Sequence, residues 1–261
     1  MPASSRMALA RRIARELRER ERRNLVAVGV YGSTARGDDR EFSDLDLVVV
    51  VRRKRAWIRH GIRDGVLVTF HQQTPAEARN EVMGPGPWLN GPLAGWRDTR
   101  ALDDPTRLIA RLRTRARRPT ASQWRESAKR DLVELFEDYG KVRNAIGAGD
   151  LEEAMEMGVW FADPAAGTLC DLEGLVPRPH RRYFIEVARR GALGHSIWKL
   201  RYEARTLKEI ARLTDQIWNG LLAKARRKGI RIPGLLEDVT RSGRGGPSRG
   251  PSGPSRSRGA R

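Results

Sequence analysis

Two kinds of hydrophobic pattern divide this chain. Apolar residues recur at helical spacing among charges over residues 7–23, which predicts an amphipathic helix. Short apolar, β-branched runs typical of buried strands then follow, at residues 25–31, 45–51 and 65–70. Thr74 and Pro75 predict the start of a second helix, and the Gly- and Pro-rich residues 84–95 predict a loop.

Beyond this region the pattern predicts helices almost throughout. The candidate helices are residues 105–116, 121–147, 151–161, 181–190 and 196–228. We therefore expect an α+β protein, with an N-terminal α/β domain over residues 1–105 and a C-terminal helical bundle over residues 106–240. Residues 241–261 consist almost wholly of Gly, Ser, Pro and Arg, and we expect them to be disordered because they cannot bury enough surface to offset chain entropy.

Composition excludes several classes of protein. Of 261 residues 39% are hydrophobic, which is enough for a folded core. The single cysteine, Cys170, excludes a disulfide framework and a cysteine-rich zinc site. The sequence has no apolar run of membrane-spanning length and no signal-like start, so the expected location is the cytoplasm. The net charge of +19 is compatible with a nucleoside triphosphate and with nucleic acid, and it does not choose between them.

The first motif with chemical meaning is the turn after the first predicted strand. Gly32 allows a ligand to approach the backbone closely, and the hydroxyl of Ser33 and the amides that follow can donate hydrogen bonds to phosphate oxygens. Arg36 adds a positive charge to the same turn. This pattern predicts a site for a phosphate group.

Two carboxylates follow at the start of the second predicted strand. Asp44 and Asp46 lie two positions apart, so both side chains project from one face of the strand. Such a pair is repulsive unless a cation neutralises it, and carboxylate oxygens are ligands that Mg²⁺ prefers. Together with the preceding turn, the pair predicts a Mg²⁺-bound nucleoside triphosphate.

A second motif lies on the long helix predicted after residue 121. Glu134, Glu137, Lys141 and Asn144 recur at spacings of three and four, so they form one polar stripe. From the residues alone, Glu137 and Lys141 are read as an ordinary exposed ion pair.

Both motifs resemble those of known enzymes. Gly-Ser followed by Asp-x-Asp on the next strand resembles the signature of the DNA polymerase beta superfamily of nucleotidyltransferases. The stripe at residues 134–144 is similar to a helix of the kanamycin nucleotidyltransferase family, which are aminoglycoside adenylyltransferases. Other segments similar to that family are residues 28–33, 42–46, 217–220 and 227–229.

The resemblance assigns roles to individual residues. It implies that the N-terminal domain contains a mixed sheet, that Asp44 and Asp46 hold Mg²⁺, and that Glu137 is the general base that deprotonates the acceptor hydroxyl. The residues it implies for nucleotide binding are Gly32, Ser33, Arg36, Ser43 and Lys141.

The function implied is Mg²⁺-dependent transfer of a nucleoside monophosphate, AMP from ATP, to an acceptor hydroxyl. An aminoglycoside-like small molecule is the favoured acceptor, which suggests antibiotic resistance. The family also implies a homodimer, with the acceptor between the two domains; neither a membrane nor a nucleic acid is an expected partner. Alternatives remain: a regulator or antitoxin that adds AMP to proteins, a catalytically impaired nucleotide-binding relative, and a nucleic-acid-binding protein.

One position departs from the family pattern. The third strand of these enzymes carries a further acidic residue between two valines, where this chain has Leu67 between Val66 and Val68. This departure weakens the expectation of a second metal ion. A one-metal enzyme in which Glu137 removes the proton is consistent with the resemblance, and so is an inactive relative.

Overall fold

A mixed sheet forms the N-terminal part of the chain. The computed structural model describes residues 3–177 and 182–232, and within them the strands are β1 (Leu25–Tyr31), β2 (Leu45–Val51), β3 (Ile58–Arg63), β4 (Val66–Gln73) and β5 (Arg100–Asp103). Their order across the sheet is β3-β4-β2-β1-β5. Strands β2 and β4 run parallel, and the other neighbouring pairs run antiparallel.

Helices cover both faces of this sheet. Helix α1 (Ala3–Glu21) packs its apolar stripe on one face, and α3 (Pro75–Met83), α4 (Asn90–Asp98) and α5 (Leu108–Ala116) pack on the other. The short helix α2 (Gly32–Arg36) follows β1 directly. Burial on both faces explains why β1 and β2 are continuous apolar runs instead of alternating ones.

The remaining described helices form a second layer with its own core. They are α6 (Ala121–Ala148), α7 (Leu151–Glu173), α8 (Tyr183–Ala188), α9 (Ala192–Tyr202) and α10 (Leu207–Arg227). Leu132, Phe161 and Trp218 are among the side chains that this core buries. No helix in the described parts of the chain is both long enough and apolar enough to cross a membrane.

The α+β class, with a mixed N-terminal sheet and C-terminal helices, is confirmed, and several local predictions are corrected. The loop predicted at 84–95 is wrong from Asn90 onward, where α4 begins, and the single helix predicted at 196–228 is two helices, with Thr206 capping the second. The hydrophobic pattern did not predict strands β3 and β5, because they are short, mostly exposed edge strands. Helix α5 packs with the sheet layer, although it follows the predicted domain boundary at 105/106. The predicted disordered tail, 241–261, lies outside the described residues.

A buried carboxylate pair joins the loop before α4 to helices α6 and α7. Asp171 accepts hydrogen bonds from the backbone amides of Leu89 (2.7 Å) and Asn90 (3.0 Å) and from the Ser127 hydroxyl. Asp131 accepts from the backbone amide of Trp88 at 2.6 Å. Burial and the charge of Asp171 raise the pKa of Asp131 to about 9, so Asp131 is a neutral acid at pH 7 and can donate to Asp171.

The neutral Asp131 makes stability depend on pH. Its pKa is higher in the folded chain than in the unfolded one, so between about pH 4 and pH 9 the folded state binds more protons and stability falls as pH rises. Asparagine has the same shape and can both accept from Trp88 and donate to Asp171. We expect the melting temperature of Asp131→Asn minus that of the wild type to increase steadily as the pH rises through this range. Thermal unfolding at a series of pH values measures this difference. Parallel curves for the two proteins would contradict the assignment.

Candidate active site

The turn between β1 and α2 lies directly against β2. Tyr31 pairs with Asp46 in the antiparallel register of the two strands. Gly32 has φ +72°, and a Cβ added there would lie 2.6 Å from Oδ2 of Asp46. Glycine is therefore required at this position both for its backbone conformation and for the close approach of the carboxylate.

Asp46 is half-buried, whereas Asp44, just before β2, is exposed. Burial, followed by the charge of Asp44, raises the pKa of Asp46 to about 6, and the charge of Arg36 opposes this rise. At neutral pH the site therefore holds two carboxylates in unfavourable proximity, which is the condition that a bound cation relieves. Below about pH 6 Asp46 is neutral and becomes a poor cation ligand.

The donor set fits Mg²⁺ bound together with a nucleotide. No cluster of three or more potential ligating side chains of His, Cys, Asp or Glu occurs within residues 3–177 and 182–232. Mg²⁺ commonly takes one or two carboxylates from the protein and completes its shell with water and substrate phosphates. Asp44 and Asp46 supply that number, and Leu67 stands on the neighbouring strand where a third carboxylate is expected from the resemblance.

A buried arginine positions the loop that carries Asp44. Arg6 of α1 donates from Nε to the carbonyl oxygen of Ser43 (3.1 Å), from Nη1 to Asp39 (3.0 Å) and from Nη2 to the carbonyl oxygen of Glu41. Sequence reasoning missed this residue, because an arginine within a basic amphipathic helix carries no local sign of burial. Arg6 is a positioning residue, since its contacts are with the loop.

A cavity of about 1140 Å³ opens beside Asp46. Among the residues predicted for the site, Gly32, Arg36 and Asp46 line it. Asp138 of α6 also lines this cavity, and sequence reasoning did not select it. The space therefore extends from the phosphate-type turn to the C-terminal helices.

The remaining predicted residues near the turn lie beside this cavity and do not line it. Ser43, Asp44 and Leu67 line a neighbouring space of about 380 Å³. The hydroxyl of Ser43 accepts a hydrogen bond from the backbone amide of Arg40 at 2.8 Å, which stabilises the loop before β2. Ser33 is half-buried in the first turn of α2, and its carbonyl oxygen accepts from the amide of Gly37 at 2.9 Å.

Arg36 is held by two carboxylates at the edge of the cavity. Its Nη1 donates to Asp98 at 3.1 Å, and its Nε donates to Asp38 at 3.3 Å. These contacts fix the guanidinium beside Asp46, within the cavity lining. A phosphate in this cavity would meet a positive charge that is already oriented.

Glu137 and Lys141 lie outside the cavity of their own chain. Their side chains form an ion pair of 2.9 Å, with 76% of the Glu137 side chain and 48% of the Lys141 side chain exposed. Asp138, the next residue, is 30% exposed and lines the cavity. Lys141 Nζ also lies 3.5 Å from Asp138, so the two carboxylates are close together although only Asp138 lines the cavity.

The far wall of the cavity is largely aromatic. The aromatic side chains that line it beyond the sheet are Trp88, Trp160, Tyr183, Phe184 and Tyr202. The guanidinium of Arg201 lies 4.4 Å from the centre of the Phe184 ring and donates to Asp163 at 2.7 Å. This wall combines flat apolar surfaces with a few charged groups, as is typical of small-molecule sites.

Comparisons with known proteins agree with this geometry. Residues 10–84, which span the turn and both aspartates, match the nucleotidyltransferase domain family. A nucleotidyltransferase-like protein from Exiguobacterium sibiricum 255-15 has a similar structure, with a TM-score of 0.55 and 11% identity over 89% of this chain and 80% of that one. No curated protein sequence matches the chain. Residues 10–84 are thus similar to nucleotidyltransferase domains, which supports nucleotidyl transfer in general, and most of the chain shares its fold with a nucleotidyltransferase-like protein.

Proposed function

We propose that this protein transfers AMP from ATP to a hydroxyl group of a small-molecule acceptor in a Mg²⁺-dependent reaction. The observation that carries the proposal is the contact between the Gly32 turn and Asp46 at the mouth of the large cavity. The turn would bind the triphosphate through Gly32 and Ser33, and Arg36 would add an oriented charge. The family match over residues 10–84 supports the reaction type.

Asp44 and Asp46 are the residues that would hold Mg²⁺. When bound, the ion neutralises phosphate charge that builds up as the bond to pyrophosphate breaks. The chain's own contribution is to orient the triphosphate against the acceptor and to supply fixed charges around the reacting phosphorus. The acceptor hydroxyl attacks the α-phosphorus, its proton passes to a carboxylate, and pyrophosphate leaves.

We propose that Glu137 is the carboxylate that takes this proton, and that it acts in the site of a second copy of the chain. Glu137 is largely exposed and does not line the cavity of its own chain, so a second copy of the chain packed against α6 would bring it to a reacting hydroxyl. The neighbouring apolar side chains support such an interface, because Val133 is 53% exposed and Phe136 is 48% exposed on the same side of α6. In this homodimer Lys141 would accompany Glu137 and contact phosphate.

An aminoglycoside-like acceptor is compatible with the cavity. Asp138 places a carboxylate in the cavity lining, where an amino group of a cationic acceptor would gain from it. The aromatic wall offers flat surfaces for packing against ring systems. On this basis we propose an antibiotic-modifying activity for the protein.

The reaction can be tested with the full chain, ATP labelled at the α-phosphate and Mg²⁺. A panel of aminoglycosides and a cell lysate serve as acceptors, pyrophosphate release is measured, and products are identified by mass spectrometry. We expect one class of small hydroxyl compound to gain a nucleoside monophosphate, and the reaction to stop with a chelator. Labelling of proteins alone would replace the small-molecule acceptor with a protein side chain, and the absence of pyrophosphate release with every acceptor would contradict the proposal.

A further inference from the structure

A row of arginines lines a groove on helix α5. The groove has a volume of about 610 Å³, and four of its six lining residues are Arg107, Arg111, Arg115 and Arg118. The first three are spaced by four positions, so they follow one face of the helix. The row covers roughly 16 Å of helix length, which is longer than a single phosphate group. It shares no lining residue with the cavity beside Asp46.

These arginines have no carboxylate partner in the described part of the chain. Arg111 donates to the carbonyl oxygen of Thr106 at 2.7 Å, and the buried Nε of Arg115 has no hydrogen-bond partner among the described residues. The acidic residues just before the helix are already used. Asp103 accepts from Arg18 at 2.5 Å, and Asp104 caps the start of α5 through the amide of Leu108 at 2.7 Å.

The row concentrates positive charge along one largely exposed face, which attracts anions. Some arginines elsewhere are paired with carboxylates, as Arg36 is with Asp98 and Arg201 is with Asp163, whereas the four groove arginines combine the lack of such a partner with a common groove. The four guanidinium groups present several hydrogen-bond donors along this face, which suits a ligand that carries several acceptors. The groove therefore favours an extended anion that carries several acceptor groups.

We propose that this groove binds the phosphate backbone of a nucleic-acid duplex. A linear row of arginines matches a ligand with regularly repeated charges better than it matches a compact anion. The other two lining residues are Ala110 and Thr114, so the groove has no aromatic surface on which unpaired bases would stack. Recognition through phosphates alone positions a duplex without reading its sequence.

The test measures binding of the full chain to a fluorescent mixed-sequence DNA duplex by anisotropy over a range of salt concentrations. In one variant Arg107, Arg111 and Arg118 are changed to Gln. Since each lost phosphate contact removes about 0.9 from the slope of log affinity against log salt, we expect the slope to fall by about 2–3 and the affinity to fall by about tenfold or more.

Matched variants separate this groove from general surface charge. Changing the exposed Arg55, Arg59 and Arg63 to Gln removes the same charge from the region of β3, and we expect affinity near that of the wild type. Changing the three groove arginines to Lys keeps the charge and is expected to retain most of the binding. Circular dichroism and melting temperature check folding, and the Lys variant and Arg118→Gln alone keep the test informative if the triple Gln variant unfolds.

Four outcomes would overturn the proposal. They are unchanged binding by the groove variant, equal losses in the groove and β3 variants, tighter binding of a single strand than of the duplex, and binding of tripolyphosphate without any duplex binding. Nucleotidyl transfer is expected to be the same in all these variants, because the groove arginines lie outside the cavity beside Asp46. Failure of the proposed reaction would therefore leave this test unaffected.

Discussion

Asp46→Asn is expected to abolish nucleotidyl transfer while leaving the folded protein as stable as the wild type or more stable. The substitution removes a charge from the proposed metal site and changes almost no volume. Loss of one preorganised electrostatic group typically costs about 10²–10³-fold in kcat, and loss of a metal ligand is expected to cost at least that. Stability does not fall, because burial and Asp44 disfavour the ionised form of Asp46 in the folded chain.

The measurement is pyrophosphate release at saturating Mg²⁺, with melting temperature recorded on the same samples. Asp64→Asn is the matched control, since it removes one carboxylate from an exposed turn. Asp64 has a left-handed backbone conformation, which asparagine also tolerates. We expect this control to retain its turnover. Near wild-type turnover in Asp46→Asn would show that Asp46 does not hold the metal.

The local arrangement of the candidate site could be predicted from the sequence. Gly32, Ser33, Asp44 and Asp46 lie within one strand-turn-strand segment, where the order of residues fixes which backbone and side-chain groups face each other. Strands β1 and β2 were equally evident because burial on both faces requires continuous apolar runs.

Residues that act through tertiary contacts could not be found in this way. Arg6 reaches a loop more than thirty positions away in the sequence. Asp131 and Asp171 look like ordinary polar residues of amphipathic helices until α6 and α7 pack against the loop before α4. The position of Asp138 depends on how α6 is rotated relative to the sheet, and helical periodicity alone leaves that rotation undetermined.

The partner of this basic chain also could not be predicted from its sequence alone. A net charge of +19 favours neither a nucleotide nor a nucleic acid by itself. The structure places four arginines along one open groove at α5, whereas Arg36 is paired with Asp98. The inference of a duplex-binding surface therefore depends on placement rather than on composition.

Glu137→Gln is expected to lower kcat by about 10²–10⁴-fold while leaving the affinity for ATP almost unchanged. A general base acts on the acceptor proton in the transition state, and the amide retains the shape and hydrogen bonding of the side chain. Asp138→Asn is the matched comparison, because it alters the adjacent carboxylate on α6, which lines the cavity of its own chain. We expect Asp138→Asn to change the KM of the acceptor more than kcat.

Mixing the inactive variants tests whether the site is shared between two copies. A dimer of one Asp46→Asn chain and one Glu137→Gln chain contains one complete site if Glu137 acts across the interface. Random mixing of subunits would then restore about a quarter of the wild-type activity, since about half of the dimers are mixed and each has one intact site. Neither variant alone would recover any activity.

A different set of results would assign the base to Asp138 within a single chain. If Asp138→Asn loses kcat, Glu137→Gln does not, and mixing restores nothing, the base is the carboxylate that shares a cavity with Asp46 in one chain. Glu137 and Lys141 would then be the exposed ion pair that their spacing and exposure describe, which contributes only tenths of a kcal/mol to stability. Kinetics of the two variants, measured singly and mixed, thus decide whether the proton leaves within one subunit or across an interface.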